Sequence, residues 1–366
     1  MPDLITGVLK KTPKGNFVLR DPARSFRSAG REVVVPFPLM RACGLCEGAA
    51  ISGPTRSDRG LTILESVESV CGLTVEQFKK RTPYKDLTAI PPYQRFDLEK
   101  SGDLAMRIVD LIAPMGKGTR GLIVSPPKAG KTTILAKLAK GILADDPKTH
   151  IIVLLIDERP EEVTQFKRGV EGITVVASSI DQSIDEHIDL AEILLAYIKI
   201  QLECGRDVVI LVDSITRMGR AFNRKGSGSA RIMSGGLEAG ALEIPRRFLG
   251  MARKVENGGS VTIIATALID TGSRMDQLIF EEFKGTGNSE IILSRALAEQ
   301  RIFPAIDIPA SGTRMDEALW GPANSKKLAN LRKALANHKP AEAINTLISV
   351  LQKYPANSEL FKILPA

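Results

Sequence analysis

The chain of 366 residues is short of several things at once: it has four cysteines, three histidines, one tryptophan and an aromatic content of 5%. So few cysteines in so long a chain do not build a disulfide scaffold. Cys43-Gly-Leu-Cys46 has the spacing of half a zinc site or of a redox pair. No second ligand pair follows at a suitable distance, and His150, His187 and His338 are scattered. Reduced structural thiols are therefore the expectation for Cys43, Cys46, Cys71 and Cys204. No apolar run approaches 18 residues, so no membrane span is expected. The first residues (MPDLITGVLKKTPKG) lack the basic-then-apolar pattern of a secretory leader, which points to the cytoplasm.

What is present is ordinary globular composition with a basic excess. The length allows two or three domains. The net charge is +8, and residues 1–95 hold 15 Lys and Arg against 9 Asp and Glu. A basic N-terminal module suits a polyanionic partner.

The informative stretch is 116–133. Gly121–Ser125 reads as a short buried strand and 132–143 as an amphipathic helix with Leu135, Leu138 and Ile142 on one face. Between them lies Pro-Pro-Lys-Ala-Gly-Lys-Thr, the layout of a phosphate-binding loop. Lys131 would reach terminal phosphates and the Thr132 hydroxyl would ligate Mg²⁺. The first glycine of the usual pattern is replaced by Ser125, with two prolines beside it.

Residues 1–75 show short β-like runs separated by turn residues, which suggests a small barrel of the oligonucleotide-binding kind. Its aromatics are only Phe17, Phe26 and Phe37, so it offers few platforms for stacked bases. Residues 76–105 read as a linker punctuated by prolines, and 104–112 as a helix entering the core. From 106 to 320 apolar strands (151–156, 173–177, 208–212, 261–267, 290–293) alternate with helices such as 184–203, the signature of an α/β unit with a parallel sheet. Residues 321–366 read as a helical pair capping that core.

Acidic residues close two of the apolar strands. Asp213 ends one and suits Mg²⁺ beside a phosphate loop. Asp157 and Glu158 end another, and Glu158 is placed to polarise an attacking water. The Gly- and Ser-rich stretch 223–236, flanked by helical sequence, reads as a mobile basic loop able to track a nucleic-acid backbone. Residues 281–288 form a second glycine-punctuated basic loop. Arg314, in a turn after the last core strand, could reach a neighbouring subunit's γ-phosphate.

Taken together, Gly121–Thr132, Leu154–Thr164, Ile210–Arg217, Thr262–Gly272, Glu281–Asn288 and Phe303–Asp307 resemble the Rho family of bacterial transcription termination factors, over about residues 100–320. The prolines before Lys-Ala-Gly-Lys-Thr and the Asp-Glu-Arg-Pro run set that family apart from the rotary ATP synthases and recombinases. The resemblance implies a RecA-like P-loop ATPase core and a 5′–3′ RNA–DNA helicase, an RNA-dependent ATP hydrolase using ATP and Mg²⁺. It implies a homohexamer that threads single-stranded RNA, with RNA polymerase as partner. It places ATP on Gly116, Lys117, Gly118, Thr119, Arg120 and Gly121, on Lys128, Ala129, Gly130, Lys131, Thr132 and Thr133, and on Arg159 and the adenine-stacking Phe303. Catalysis falls to Lys131, Glu158 and Arg314, assisted by Arg301, and Mg²⁺ to Thr132 and Asp213. The RNA-gripping pore loops would hold Arg231, Ile232, Met233, Ser234, Gly235, Gly236 and Lys284. In the barrel, Gly15, Asn16, Phe17, Arg20, Glu32 and Val34 correspond to the family's primary RNA site. That site usually carries two aromatics where only Phe17 stands here, and a tyrosine where Val34 stands. A regulator that binds RNA with a slowed motor is the alternative this weakened barrel suggests.

Overall fold

The computed structural model describes residues 4–28, 30, 32–225, 236–238 and 240–365. Two sheets organise them. The first contains β1 (Leu4–Lys11), β2 (Phe17–Arg20), β3 (Val33–Val34), β4 (Ala50–Asp58), β5 (Leu61–Leu64) and β6 (Ser69–Val70). Its order is β1-β2-β3-β5-β4, and β4 pairs back onto β1 from Pro54↔Leu4 to Ala50↔Val8, so the ring closes. Leu9, Val35, Ile51, Leu64 and Val70 fill it. The expected boundary at residue 75 falls at the start of a helix, Val75–Lys79, whose Phe78 is fully buried in that same barrel core.

The second sheet adds β7 (Ala89–Ile90), β8 (Arg120–Ser125), β9 (His150–Glu158), β10 (Thr174–Ser179), β11 (Asp207–Asp213), β12 (Arg253–Val255), β13 (Ser260–Leu268), β14 (Ser289–Ile292) and β15 (Gly312–Thr313). The order is β10-β9-β11-β13-β8-β14-β15, parallel from β10 through β14. Only the short strands β7, β12 and β15 run antiparallel. The apolar run of β9 serves both faces. Ile151, Val153 and Leu155 enter one core cluster, while Ile152, Leu154 and Ile156 enter the other, as a period of two requires in a sheet covered by helices on each side.

Helices bracket the sheet. Leu104–Ile112 starts at Asp103, whose carboxylate accepts from the N–H of Ala105 and Met106. Ile184–Glu203 starts at a capping box made by Ser183 and Glu186. The C-terminal segment holds three helices rather than the expected pair: Pro322–Ala336, Pro340–Lys353 and Asn357–Ile363. They pack Leu328, Leu335, Ile344, Leu347 and Leu360 into the motor's own cluster. Buried Arg107 ties them down, donating to the carbonyls of Leu351 and Tyr354 and to Asn357 Oδ1.

Barrel and motor touch along the helix 184–203. Gly48 lies so close that a Cβ there would sit 2.3 Å from the Ala196 carbonyl. Lys10–Asp189 and Arg81–Glu203 ion pairs, at 3.0 and 2.9 Å, flank that contact. Among the described residues no helix is long and apolar enough to cross a membrane.

Candidate active site

Because β8, β9, β11 and β13 run parallel, their carboxyl ends lie on one edge of the sheet, where ligands bind in open α/β folds. The loop 126–130 leaves β8 there and feeds the helix Lys131–Asp145, capped by Gly130 at φ 94°. Lys128 also takes a left-handed conformation, φ 65°. Ser125, in place of the usual glycine, is fully buried and turns its hydroxyl onto the Pro126 carbonyl.

Charge converges beside this loop. Lys131 Nζ lies 2.5 Å from Asp213 Oδ1 and 3.7 Å from Glu158 Oε2. Thr132 Oγ1 donates to Asp213 Oδ2 at 3.4 Å, and Thr266 Oγ1, from β13, to Asp213 Oδ1 at 2.8 Å. Glu158 is 1% exposed, and neither of its carboxylate oxygens has a hydrogen-bond partner. Its neighbours hold it by charge: Arg217 Nη2 stands 2.9 Å away, and Arg217 Nη1 donates to the Asp157 carbonyl. Burial pushes the Glu158 carboxyl up to about 7, with Lys131 and Arg217 opposing and Asp213 reinforcing. A base poised near neutrality is what proton abstraction at pH 7 needs.

A cavity of about 380 Å³ adjoins the loop, walled by Ala129, Gly130, Thr133, Ile134, Leu104 and Phe303. The Phe303 ring is half exposed and faces it. Arg301 (φ 61°) lines a neighbouring cleft with Pro127 and Lys128 of the same chain.

A model of the ATP synthase alpha/beta family, nucleotide-binding domain, matches residues 105–313. The chain is 45% identical to the transcription termination factor Rho of Aquifex aeolicus, covering 99% of this chain and 85% of that protein. It is 44% identical to the factor of the same name from Cereibacter sphaeroides, over 97% and 86%. This chain belongs to the Rho family. It spans 50% of the Micrococcus luteus relative and 56% of that from Mycobacterium bovis. Among solved structures, it shares its fold with a type III secretion ATPase of pathogenic bacteria (TM-score 0.62, 24% identity, 78% of each chain). The assembled ATPase EscN of enteropathogenic E. coli is similar in fold too (TM-score 0.61, 20% identity, 93% of this chain and 86% of that one).

Within this Rho-family chain, some expected residues lie elsewhere. Gly116–Arg120 stand at the opposite end of β8 from the loop 126–130. Thr119 Oγ1 accepts from the Gly116 N–H, and Thr262 Oγ1 from that of Gly118. Lys117 pairs with Asp146 and Asp207 at the sheet's far edge. A six-residue strand spans about 20 Å, which separates these neighbours in sequence. Arg159 begins the helix Pro160–Gly169.

Arg314 follows β15, away from the loop: its N–H donates to the Asn288 carbonyl and Nη2 to that of Gly285, at 2.7 and 3.2 Å. Lys284, at the end of the helix Arg274–Phe283, is exposed and 3.8 Å from Glu281. The candidate residues Arg231, Ile232, Met233, Ser234 and Gly235 lie outside the described residues. Gly236 is described, and its carbonyl accepts from Asn223. The basic stretch proves helical up to Lys225, on a helix Ile215–Lys225.

In the barrel, Gly15 (φ 85°) and Asn16 make the β1–β2 turn, and Arg20 pairs with Glu32 at 2.6 Å. Val34 opposes Val18. Phe17 packs against the barrel core, whereas Phe37 is exposed with the Arg41 guanidinium 4.8 Å above its ring.

Sequence reasoning gave Arg217 and Thr266 no part in the site. The signal for Arg217 was its place four residues after Asp213, on the first turn of a helix leaving the strand ends.

Proposed function

We propose that this chain is an ATP-driven RNA translocase of the Rho type, which terminates transcription by pulling nascent RNA away from RNA polymerase. The observation that carries this is the meeting of Lys131, Thr132, Asp213 and buried Glu158 at the carboxyl edge of the parallel sheet. In this reading the N–H groups of 128–133 and the Lys131 ammonium hold the phosphates of ATP, and Phe303 stacks on its adenine. Thr132 and Asp213 fit Mg²⁺: the hydroxyl and the carboxylate stand 3.4 Å apart at the start of the helix that follows the phosphate loop. One hydroxyl and one carboxylate with phosphate oxygens is the usual arrangement for this ion. Held by Thr132 and Asp213, the ion would supply charge neutralisation at the phosphates.

Glu158 accepts a proton from water, whose oxygen attacks the γ-phosphorus as ADP leaves. Arg314, remote from its own chain's loop, serves the site of the neighbouring copy in a cytoplasmic homohexamer. Lys284 and residues 231–236 grip RNA in the ring, and the basic barrel, with Arg20 and Glu32, receives the incoming strand. The test is phosphate release with and without RNA homopolymers. RNA should stimulate hydrolysis, and Glu158→Gln should lower the stimulated rate by about 10²–10⁴. An unchanged rate would remove the chemistry from this site.

A further inference from the structure

The segment that carries Arg314 is held from three sides. The Ser311 hydroxyl accepts from the Ile292 N–H of β14 and donates to the Asp307 carbonyl, at 2.9 and 2.6 Å. Thr313 Oγ1 donates to the Pro114 carbonyl at 2.7 Å, on the turn leading towards β8. The third hold comes from the C-terminal helix Pro322–Ala336. Arg332 Nη1 donates to the carbonyl of Ile112, the last residue of the helix 104–112, and Nη2 donates to the carbonyl of Ser311. Its guanidinium lies close to Gly312, where a Cβ would come within 2.9 Å of Nη2 and 3.4 Å of Nη1. Two carbonyls on separate elements call for a planar fork, which arginine has and lysine lacks.

We infer that Arg332 is a positioning residue for hydrolysis, clamping Ser311-Gly312 so that Arg314 stands correctly towards the neighbouring subunit's nucleotide. The inference rests on the reading of Arg314 as a group acting across the subunit boundary. Arg314 follows the clamped pair by two residues, and a backbone shift at Ser311 reaches it directly. Transition-state charge is sensitive to such shifts: a misplacement of about 1 Å can cost 10²-fold in rate. The C-terminal helices thereby act on the chemistry without touching substrate.

The test compares Arg332→Lys and Gly312→Ala in the full-length, RNA-bound ring, each alone and combined with Arg314→Ala. Arg332→Lys keeps the charge and loses the fork. Gly312→Ala keeps Arg332 and pushes its guanidinium off the backbone. Each should lower kcat for ATP by about 10- to 100-fold and leave KM within about twofold. In the Arg314→Ala background neither should lower kcat further, since residues acting as one unit are not additive. Native mass and thermal unfolding, measured alongside, should match the parent ring. An unchanged kcat in both variants overturns the inference. So does a loss that multiplies with Arg314→Ala, or one that tracks ring dissociation. Should Arg314→Ala by itself leave kcat intact, the reading of Arg314 is what fails. Should Arg314→Ala abolish turnover while both clamp variants stay normal, only the role of Arg332 fails.

Discussion

Replacing Arg217 by glutamine should move the pH profile of ATP hydrolysis without removing the base. Burial raises the Glu158 pKa to about 7, so its ionised form, the one proposed to polarise water, gains population as pH rises through neutrality. Arg217, 2.9 Å away, favours the ionised form. Unit charges about 4 Å apart interact by about 4 kcal/mol at an effective dielectric near 20. The Arg217 side chain is 22% exposed, and Lys131 shares the same carboxylate. Solvent screening and that sharing reduce the difference to roughly 1–2 kcal/mol, or about one pH unit. The acidic limb of kcat/KM should therefore shift upward by about one unit. At pH 7 the base would fall from about half ionised to about one-tenth, a fivefold loss of rate that is recovered near pH 9. Phosphate release in saturating RNA, followed from pH 5.5 to 9, reads this directly. A variant whose limb stays in place, or whose rate falls equally at every pH, would refute the argument that Arg217 acts on Glu158 by charge.

Three other outcomes are expected. Phe303→Ala should raise KM for ATP about tenfold with kcat nearly constant, since a stacked base is worth roughly 1–3 kcal/mol; calorimetric nucleotide titration checks it. Lys284→Ala should reduce the slope of log RNA affinity against log salt by about one, as loss of a single phosphate contact does. Arg107→Met should destabilise the chain by roughly 3–5 kcal/mol, because it strands the carbonyls of Leu351 and Tyr354 and the side chain of Asn357 without a donor. Thermal melting and amide exchange over 340–363 would reveal it.

Much of the motor was legible in the sequence because buried parallel strands are plain apolar runs. β9, β11 and β13 extend only one or two residues beyond the runs 151–156, 208–212 and 261–267. Glu158 and Asp213 were placed by the same logic, since a carboxylate closing such a run must emerge at the strand's carboxyl end. Short or polar elements were harder. Asn357–Ile363 is under two turns, too brief for a periodic signal. The helix Ile215–Lys225 hides its apolar face, Ile215, Met218, Ala221 and Phe222, among arginines. The nucleotide role of Gly116–Gly121 came from the family resemblance alone, and the fold separates Gly116–Arg120 from the loop 126–130 by the length of β8. Arg332 gives no sequence signal, because its partners are backbone carbonyls that any residues could supply.

The bare contact between Gly48 and Ala196 has a mechanical implication. At that point backbone rests on backbone with no side chain between, so a tilt of the helix beneath is passed there directly to the lobe above. Under the proposed function, RNA held by that lobe would move with the helix beneath it rather than stay tethered nearby.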